Sequence, residues 1–93
     1  MMKIQGEYLL REAAGTYFLI PAGQSLADNN HMMKLNESGV FLWNCLQAEP
    51  EQEELLDKFQ QEYPDISREI LAEDLEGFLQ ELEKKQMLKR NHS

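Results

Sequence analysis

Few residues in this sequence have the types and spacing that chemistry requires. His31 and Cys45 could together contribute to a metal site or a nucleophile pair, but a zinc site needs three or four ligands. Cys45 also falls beside Leu42 and Leu46 on an apolar helical pattern, where a free cysteine usually serves as a small buried hydrophobe. The sequence has no glycine-rich phosphate loop of the P-loop or dinucleotide type. We therefore predict that the protein is not an enzyme and binds no metal or cofactor.

The acidic balance of the chain argues against nucleic acid as a partner. The chain carries 9 basic and 17 acidic residues and a formal net charge of −8, whereas binding to a phosphate backbone relies on clustered lysine and arginine. This balance favours a neutral or basic peptide or protein as the partner. The alternative, that the acidic surface only keeps the protein soluble, stays open.

Length and apolar patterning indicate one small domain that does not enter a membrane. At 93 residues, the chain can build a single core. No apolar run approaches the roughly 18–20 residues that a membrane helix needs, and the N-terminal residues lack the apolar region of a secretory signal. Cys45 is the single cysteine, so no internal disulfide can form, and we predict a cytoplasmic protein.

The first third of the chain has the pattern of short strands. Residues 8–12 and 16–20 are rich in β-favouring types and flank a small turn, which predicts a β-hairpin. Pro21 cannot donate to a ladder and is expected to end the second strand. A turn-rich loop is expected over 21–30, followed by a third strand over 31–34.

The rest of the chain follows helical spacing. Asn36 is predicted to cap a first helix, because its side-chain oxygen can accept a bond from an amide of the first turn. Pro50 suits the first turn of a second helix, and Ser67 is predicted to cap the third. Residues 89–93 are expected to form a disordered tail. The predicted order is therefore β-β-β-α-α-α.

The predicted third strand is the candidate binding element. The edge of a three-stranded sheet has unpaired N–H and C=O groups, to which a partner chain can add as a further strand. If Leu35 faces the core, the two-residue period places Met33 and His31 on the same face and Met32 and Lys34 on the other. Met32 and Met33 would supply adaptable apolar contact. The residues alone leave open the alternative that both methionines pack internally.

Two motifs in order resemble the PqqD family and the related RiPP recognition elements, which are small winged-helix-like domains that bind precursor peptides. The first motif is Leu35-Asn36-Glu37-Ser38-Gly39, followed by Leu42, Trp43 and Leu46. The second is Glu73-Asp74-Leu75, followed by Phe78, Leu79 and Leu82. Met87-Leu88 is similar to the family's closing Gly-Leu-Leu, with Gln86 where glycine is usual. The resemblance extends over about residues 7–88.

The resemblance implies an α+β, winged-helix-like fold, with a three-stranded antiparallel sheet followed by three helices and residues 1–88 as a single domain. It implies a peptide chaperone of natural product biosynthesis, which presents the leader region of a ribosomally synthesised precursor peptide to a modifying enzyme such as a radical SAM protein. The leader would add as a strand to the third strand and occupy the groove beside the third helix. The residues carried over by position are Asn30, His31, Met32, Met33, Lys34, Ile70, Leu71, Asp74, Leu75 and Phe78.

Other functions remain compatible with these residues. A winged-helix DNA-binding regulator would have similar elements, although the predicted third helix is acidic and has Arg68 as its single basic residue before Lys84. An adaptor subunit could dock on an enzyme without recognising a peptide. An exposed edge strand can also pair with a copy of itself, so a homodimer is a further expectation.

Overall fold

The structure is a computed structural model that describes residues 2–24 and 32–90. Along the chain the elements are β1 (Met2–Ile4), β2 (Glu7–Ala13), β3 (Thr16–Ala22), β4 (Met33–Leu35), α1 (Glu37–Leu46), α2 (Gln52–Glu62), α3 (Arg68–Lys84) and β5 (Leu88–Arg90). The antiparallel sheet β2-β3-β4, followed by three helices, confirms the predicted α+β order. Among the helices of these residues, none combines the length and the apolar character of a membrane-spanning segment.

The chain forms two compact units. The sheet unit is Gly6–Phe41, and the helical unit is Met1–Gln5 together with Leu42–Ser93. The expectation that residues 1–88 form one domain stays a prediction.

The predicted hairpin of the sheet unit is confirmed, and its turn has two residues where the sequence predicted a turn over 13–15. Ala13 lies opposite Thr16, and the two residues between them have positive φ, 52° at Ala14 and 79° at Gly15. Positive φ at both central positions is the type I′ turn, whose twist matches that of the strands it joins. This turn sets the register of β2 against β3.

Pro21 does not end the second strand, and that prediction was wrong. β3 continues past Pro21, which lies opposite Tyr8. Hydrogen-bonded and non-hydrogen-bonded pairs alternate along an antiparallel ladder, and counting from the pair that closes the turn makes Tyr8–Pro21 a non-hydrogen-bonded pair. The amide that proline lacks would therefore point away from β2. β4 does not reach that position, because its pairing with β3 ends where Met33 meets Leu19.

The third strand of the sheet is shifted by two residues from its predicted start. The sequence predicted a strand over 31–34, whereas β4 is Met33–Leu35. Met33 and Leu35 are buried and Lys34 is exposed, which confirms the predicted alternation of faces. Residues 25–31 lie outside the described part of the chain, and with them lie most of the predicted loop and the predicted site residues Asn30 and His31.

The first helix is capped as predicted. The Asn36 Oδ1 atom accepts a hydrogen bond from the Gly39 N–H at 2.8 Å, which satisfies one of the amides that the helix start leaves unpaired. A Cβ atom on Gly39 would lie 3.2 Å from that same Oδ1 and 3.2 Å from Leu35 Cδ2. The glycine of the motif thus leaves room for the capping side chain and for the end of β4.

The second and third helices begin at different kinds of cap. Ser67 Oγ accepts a hydrogen bond from the Ile70 N–H at 3.3 Å, which confirms the predicted cap of α3. Pro50 was expected in the first turn of α2, but it precedes the cap residue Glu51. Its carbonyl accepts a hydrogen bond from the Met2 N–H at 3.1 Å. Pro50 therefore bonds to β1 and lies outside α2.

The end of α3 places Gln86 in a conformation that glycine prefers. Gln86 has a φ of 61° and donates its N–H to the Glu83 carbonyl at 3.0 Å, while the Met87 N–H bonds to the Leu82 carbonyl at 2.8 Å. These two bonds form a Schellman motif, in which the residue after the cap adopts the left-handed conformation that glycine prefers. Gln86 occupies that position with a side chain.

The two ends of the helical unit pair with each other, which the sequence did not predict. Met2–Ile4 pairs antiparallel with Leu88–Arg90, so Lys89 and Arg90 lie in a strand and not in the expected disordered tail; residues 91–93 lie outside the described residues. The Arg90 guanidinium donates to both carboxylate oxygens of Glu76 at 2.8 Å and also bonds to Glu83. These bonds explain the order of β5, because they join it to α3.

Candidate functional site

β4 is an edge strand of the sheet β2-β3-β4. Leu35 lies opposite Tyr17, and Met33 lies opposite Leu19. By the alternation that the hairpin turn sets, Tyr17 and Leu19 direct their backbone groups away from β2 and toward β4. Met33 and Leu35 therefore bond to β3, whereas the N–H and C=O of Lys34 point away from the sheet. An outward donor and acceptor on one residue are what an added strand pairs with.

The residue before β4 is the most exposed apolar side chain near this edge. Met32 is 59% exposed, whereas Met33 is 9% exposed. The alternative that both methionines pack internally therefore holds for Met33 alone. Continuing the alternation by two residues from Lys34 turns the Met32 amide outward as well. Of the predicted strand residues, Met32 and Lys34 are thus on the surface, and Met33 contributes to the core.

The opposite edge of the sheet, strand β2, is capped by one of its own side chains. Leu10 faces Leu19 across the hairpin, so its carbonyl points outward at this edge by the same alternation. The Arg11 guanidinium donates to that carbonyl at 2.9 Å. In the part of the chain that the structure describes, the hydrogen bonds include no such cap on the backbone of Lys34.

The predicted residues on α3 divide between surface and core. Ile70 is 53% exposed, whereas Leu71 and Leu75 are each 1% exposed. Asp74, one turn after Ile70, is exposed, and Phe78 is half-buried. Ile70 and Asp74 can therefore contact a partner directly, Phe78 can do so in part, and the two leucines support the helix from within.

An open position continues the exposed side of this helix. Gly77 follows Asp74 by three residues, and a Cβ atom added to it would have nothing within 4 Å. The glycine is therefore not required by packing within the described residues. Ile70, Asp74 and Gly77 therefore fall on one face of α3 at helical spacing.

Of the two residues considered for covalent or metal chemistry, the structure describes Cys45, and His31 lies outside the described residues. Cys45 is half-buried, and burial raises the pKa of its thiol, with Lys58 opposing and Glu62 adding to that shift. A raised pKa lowers the thiolate fraction that a nucleophile or metal ligand needs. Among residues 2–24 and 32–90, no three His, Cys, Asp or Glu side chains are grouped as ligands for a metal ion.

Among the described residues, Glu76 is the carboxylate whose pKa is shifted furthest, and its role is structural. Glu76 has its pKa lowered to about 2, first by the hydrogen bonds from Arg90, while desolvation opposes the shift. The Arg90 side chain is largely buried, with 10% of its surface exposed. This pair holds β5 on α3 and leaves Glu76 fully ionised at neutral pH, so it cannot act as a general acid.

Sequence reasoning missed the outer face of the sheet, which is the face opposite to Leu19 and Met33. Phe18 lies between Arg11 and Lys34 in one cross-strand row, and Leu9 lies opposite Ile20 in the next row. Leu9 is 44% exposed. The alternation within the hairpin could have indicated that Leu9 and Arg11 share a sheet face. Their alignment with Lys34 depends on the register of β4 and could not.

Comparisons with known proteins identify a family and a similar solved structure. The family model for coenzyme PQQ synthesis protein D (PqqD) matches residues 9–88. The solved structure of TbiB1 in complex with the TbiA(beta) leader peptide has a TM-score of 0.73 and 22% sequence identity, over 98% of this chain and 99% of that chain. At that identity the likeness concerns the fold. No curated protein matches the chain significantly.

Proposed function

The chain belongs to the PqqD family, and from this premise we propose that it binds the leader region of a ribosomally synthesised precursor peptide by adding it as a strand to β4. The observation that carries this proposal is the edge position of β4, with the backbone donor and acceptor of Lys34 directed outward. The protein is a non-enzymatic peptide chaperone in natural product biosynthesis. TbiB1, whose fold this chain shares, is itself in complex with a leader peptide.

The difference between the two sheet edges supports the choice of β4. The Leu10 carbonyl on β2 already accepts a bond from Arg11, and a peptide would have to displace that side chain. Met32 beside β4 offers an exposed, flexible apolar side chain, which is a good contact for a peptide. We therefore assign the backbone contacts to β4.

Side-chain contacts are proposed for the strand segment and for α3, each taken by itself. On the strand segment, Met32 and Lys34 are exposed, and Asn30 and His31 are carried over from the family resemblance. On α3, Ile70 and Asp74 are the proposed direct contacts because both are exposed, with Phe78 as a partial one. Leu71, Leu75 and Met33 are buried and act by holding these elements in place.

We propose that the protein presents the bound leader to a modifying enzyme in the cytoplasm, and that this enzyme is a radical SAM protein. A second use of the same edge is self-pairing, since β4 of one copy could pair with β4 of another. Because peptide and second copy would compete for one edge, a homodimer should dissociate when the peptide binds. Size-exclusion chromatography with light scattering, with and without peptide, tests this.

The function is tested by titrating the purified protein with the leader peptide encoded beside its gene. Binding should be lost in Lys34→Pro and Met32→Pro, which remove outward amides, since proline on an edge strand with its nitrogen toward solvent is tolerated. Glu12→Pro is the matched control, because Glu12 lies opposite Tyr17 and its amide points outward at the β2 edge. Circular dichroism verifies the fold of all three variants.

Three results would contradict the proposal. The first is no detectable binding at high micromolar peptide. The second is unchanged affinity in both Lys34→Pro and Met32→Pro, and the third is loss of binding in Glu12→Pro alone, which would move the site to β2. A gel shift at low salt that depends on α3 would favour a DNA-binding regulator instead, although the acidic residues Glu69 and Glu73 on that helix oppose a phosphate backbone.

A further inference from the structure

We propose that the outer face of the sheet selects the bound peptide by side chain, favouring an acidic residue opposite Lys34 and an apolar residue two positions later, opposite Met32. This inference rests on the proposed strand addition to β4 and goes beyond it, because pairing through the backbone alone carries no preference for residue type. The outer face is the sheet face that carries Arg11, Phe18 and Lys34. It lies wholly within the sheet unit.

The first row of this face is cationic at both ends. Arg11 lies opposite Phe18 in the hairpin, and Phe18 lies opposite Lys34 in the β3–β4 pair. Directly opposite residues of an antiparallel pair project their side chains to the same face. Arg11 and Lys34 are the arginine and lysine residues of residues 6–41, so the guanidinium and the ammonium of that segment lie in this row.

A peptide strand on β4 would extend the row by one residue. Its residue opposite Lys34 would exchange backbone hydrogen bonds with Lys34, because the N–H and C=O of Lys34 point outward, and its side chain would lie beside the Lys34 ammonium. Opposite charges at directly facing positions stabilise a strand pair, and like charges destabilise it. An aspartate or glutamate is therefore preferred at this peptide position, and a lysine or arginine is disfavoured.

The second row of the face is apolar. Leu9 lies opposite Ile20, and continuing the β3–β4 register by one residue places Met32 opposite Ile20. Leu9 is 44% exposed and Met32 is 59% exposed, so this row can still bury apolar surface. Both strand pairs of this sheet are antiparallel, and we infer the same orientation for the peptide, whose residue opposite Met32 then follows the one opposite Lys34 by two positions. The expected pattern, read from N to C, is acidic, any residue, apolar.

Replacing Lys34 by glutamate reverses the charge that faces the peptide from β4. Glu37 lines the same pocket as Lys34 at the turn end of the sheet, whereas Glu12 lies opposite Tyr17 and therefore in a row of the other sheet face. In Lys34→Glu, a carboxylate stands in place of the ammonium, and the preference of the position should reverse to lysine or arginine.

The test is selection of random 12-residue peptides, displayed on phage, by the full-length protein and three variants: Lys34→Glu, Lys34→Pro and Lys3→Glu. Lys3 is an exposed residue of β1, so Lys3→Glu makes the same change in net charge on a strand of the other unit. Wild type and Lys3→Glu should both enrich the acidic, any, apolar pattern. Lys34→Glu should enrich the same apolar residue with lysine or arginine two positions before it, and Lys34→Pro should enrich neither.

Synthetic peptides from the selection give the size of the effect. Replacing the acidic residue by lysine should weaken binding to wild type by roughly fivefold, the range of a directly facing charge pair on a strand. The same peptide should bind Lys34→Glu more tightly than the acidic parent does. Fluorescence anisotropy with a labelled peptide measures both values.

The outcomes separate this inference from the function it rests on. If peptides are enriched and Lys34→Pro abolishes their binding, but the acidic preference is missing or unchanged in Lys34→Glu, side-chain selection is wrong and strand addition stands. If no peptide is enriched, or if binding survives in Lys34→Pro, strand addition to β4 is wrong and side-chain selection is wrong with it.

Discussion

Replacing Glu76 by glutamine is expected to remove an acid-sensitive part of the stability of the helical unit. The Glu76 carboxylate accepts two hydrogen bonds of 2.8 Å from Arg90, and further bonds come from Gln80 and Gln52. These contacts favour the ionised form and lower the pKa of Glu76 from 4.5 to about 2. They connect α2, α3 and β5.

The sign and size of the effect follow from this shift. Because the pKa is lower in the folded protein, the ionised carboxylate stabilises the fold fully above pH 4.5, and this contribution is lost as the pH falls toward 2. Each pH unit between those values changes the free energy of unfolding by at most about 1.4 kcal/mol. The Glu76 side chain is 39% exposed, so solvent screening reduces the expected total to about 1 kcal/mol.

Urea unfolding monitored by circular dichroism provides the assay. Glu76→Gln should lower the free energy of unfolding by about 1 kcal/mol at pH 7, and the gap to wild type should shrink between pH 4.5 and pH 2. Glu73→Gln is the control, because Glu73 is exposed on the same helix. A gap that stays constant with pH, or an equal loss in Glu73→Gln, would refute this account of the pair.

Three further substitutions test local features of the fold by thermal or urea unfolding. Gln86→Gly should stabilise the protein by about 0.5–1 kcal/mol, because the position has a φ of 61°, whereas Lys85→Gly, at a φ of −87°, should destabilise it. Asn36→Ala should cost about 1 kcal/mol through loss of the cap on Gly39, and the exposed Asn44→Ala should cost much less; an equal loss in both would contradict the capping role. Gly77→Ala should gain up to about 1 kcal/mol because its Cβ meets nothing within 4 Å, and a loss of stability would show that packing at this helix position had been misjudged.

The elements that could be predicted from sequence are those whose signals are local. The hairpin was predicted from β-favouring residues around a small turn, and α1 and α3 were predicted from their caps at Asn36 and Ser67, which the hydrogen bonds confirm. Each of these signals lies within a few residues of the structure that it specifies.

The features that were missed depend on contacts between distant residues. β1 and β5 are three-residue strands from opposite ends of the chain, too short for a periodic pattern, and the Arg90–Glu76 pair that holds β5 has no local signature. Pro21 was wrongly expected to end a strand. A proline is tolerated within a strand where its nitrogen faces a side of the ladder without a partner strand, and that side is known only from the register.

The candidate site shows the same division. Met32 and Lys34 could be placed on one face by alternation, and their exposure agrees with it. The direction of the Lys34 amide could not be predicted, because a slip of one residue in the β3–β4 register would turn it inward. The alignment of Arg11, Phe18 and Lys34 in one row depends on two strand pairs at once.

The most direct test of strand addition to β4 is amide hydrogen exchange, measured residue by residue with and without the leader peptide. The account predicts that the Lys34 amide exchanges rapidly in the free protein and slowly in the complex, because its outward N–H becomes bonded to the peptide. The Glu12 amide, outward on the β2 edge, should exchange at the same rate in both. Protection of Glu12 instead of Lys34, or no change at Lys34 under saturating peptide, would contradict the account.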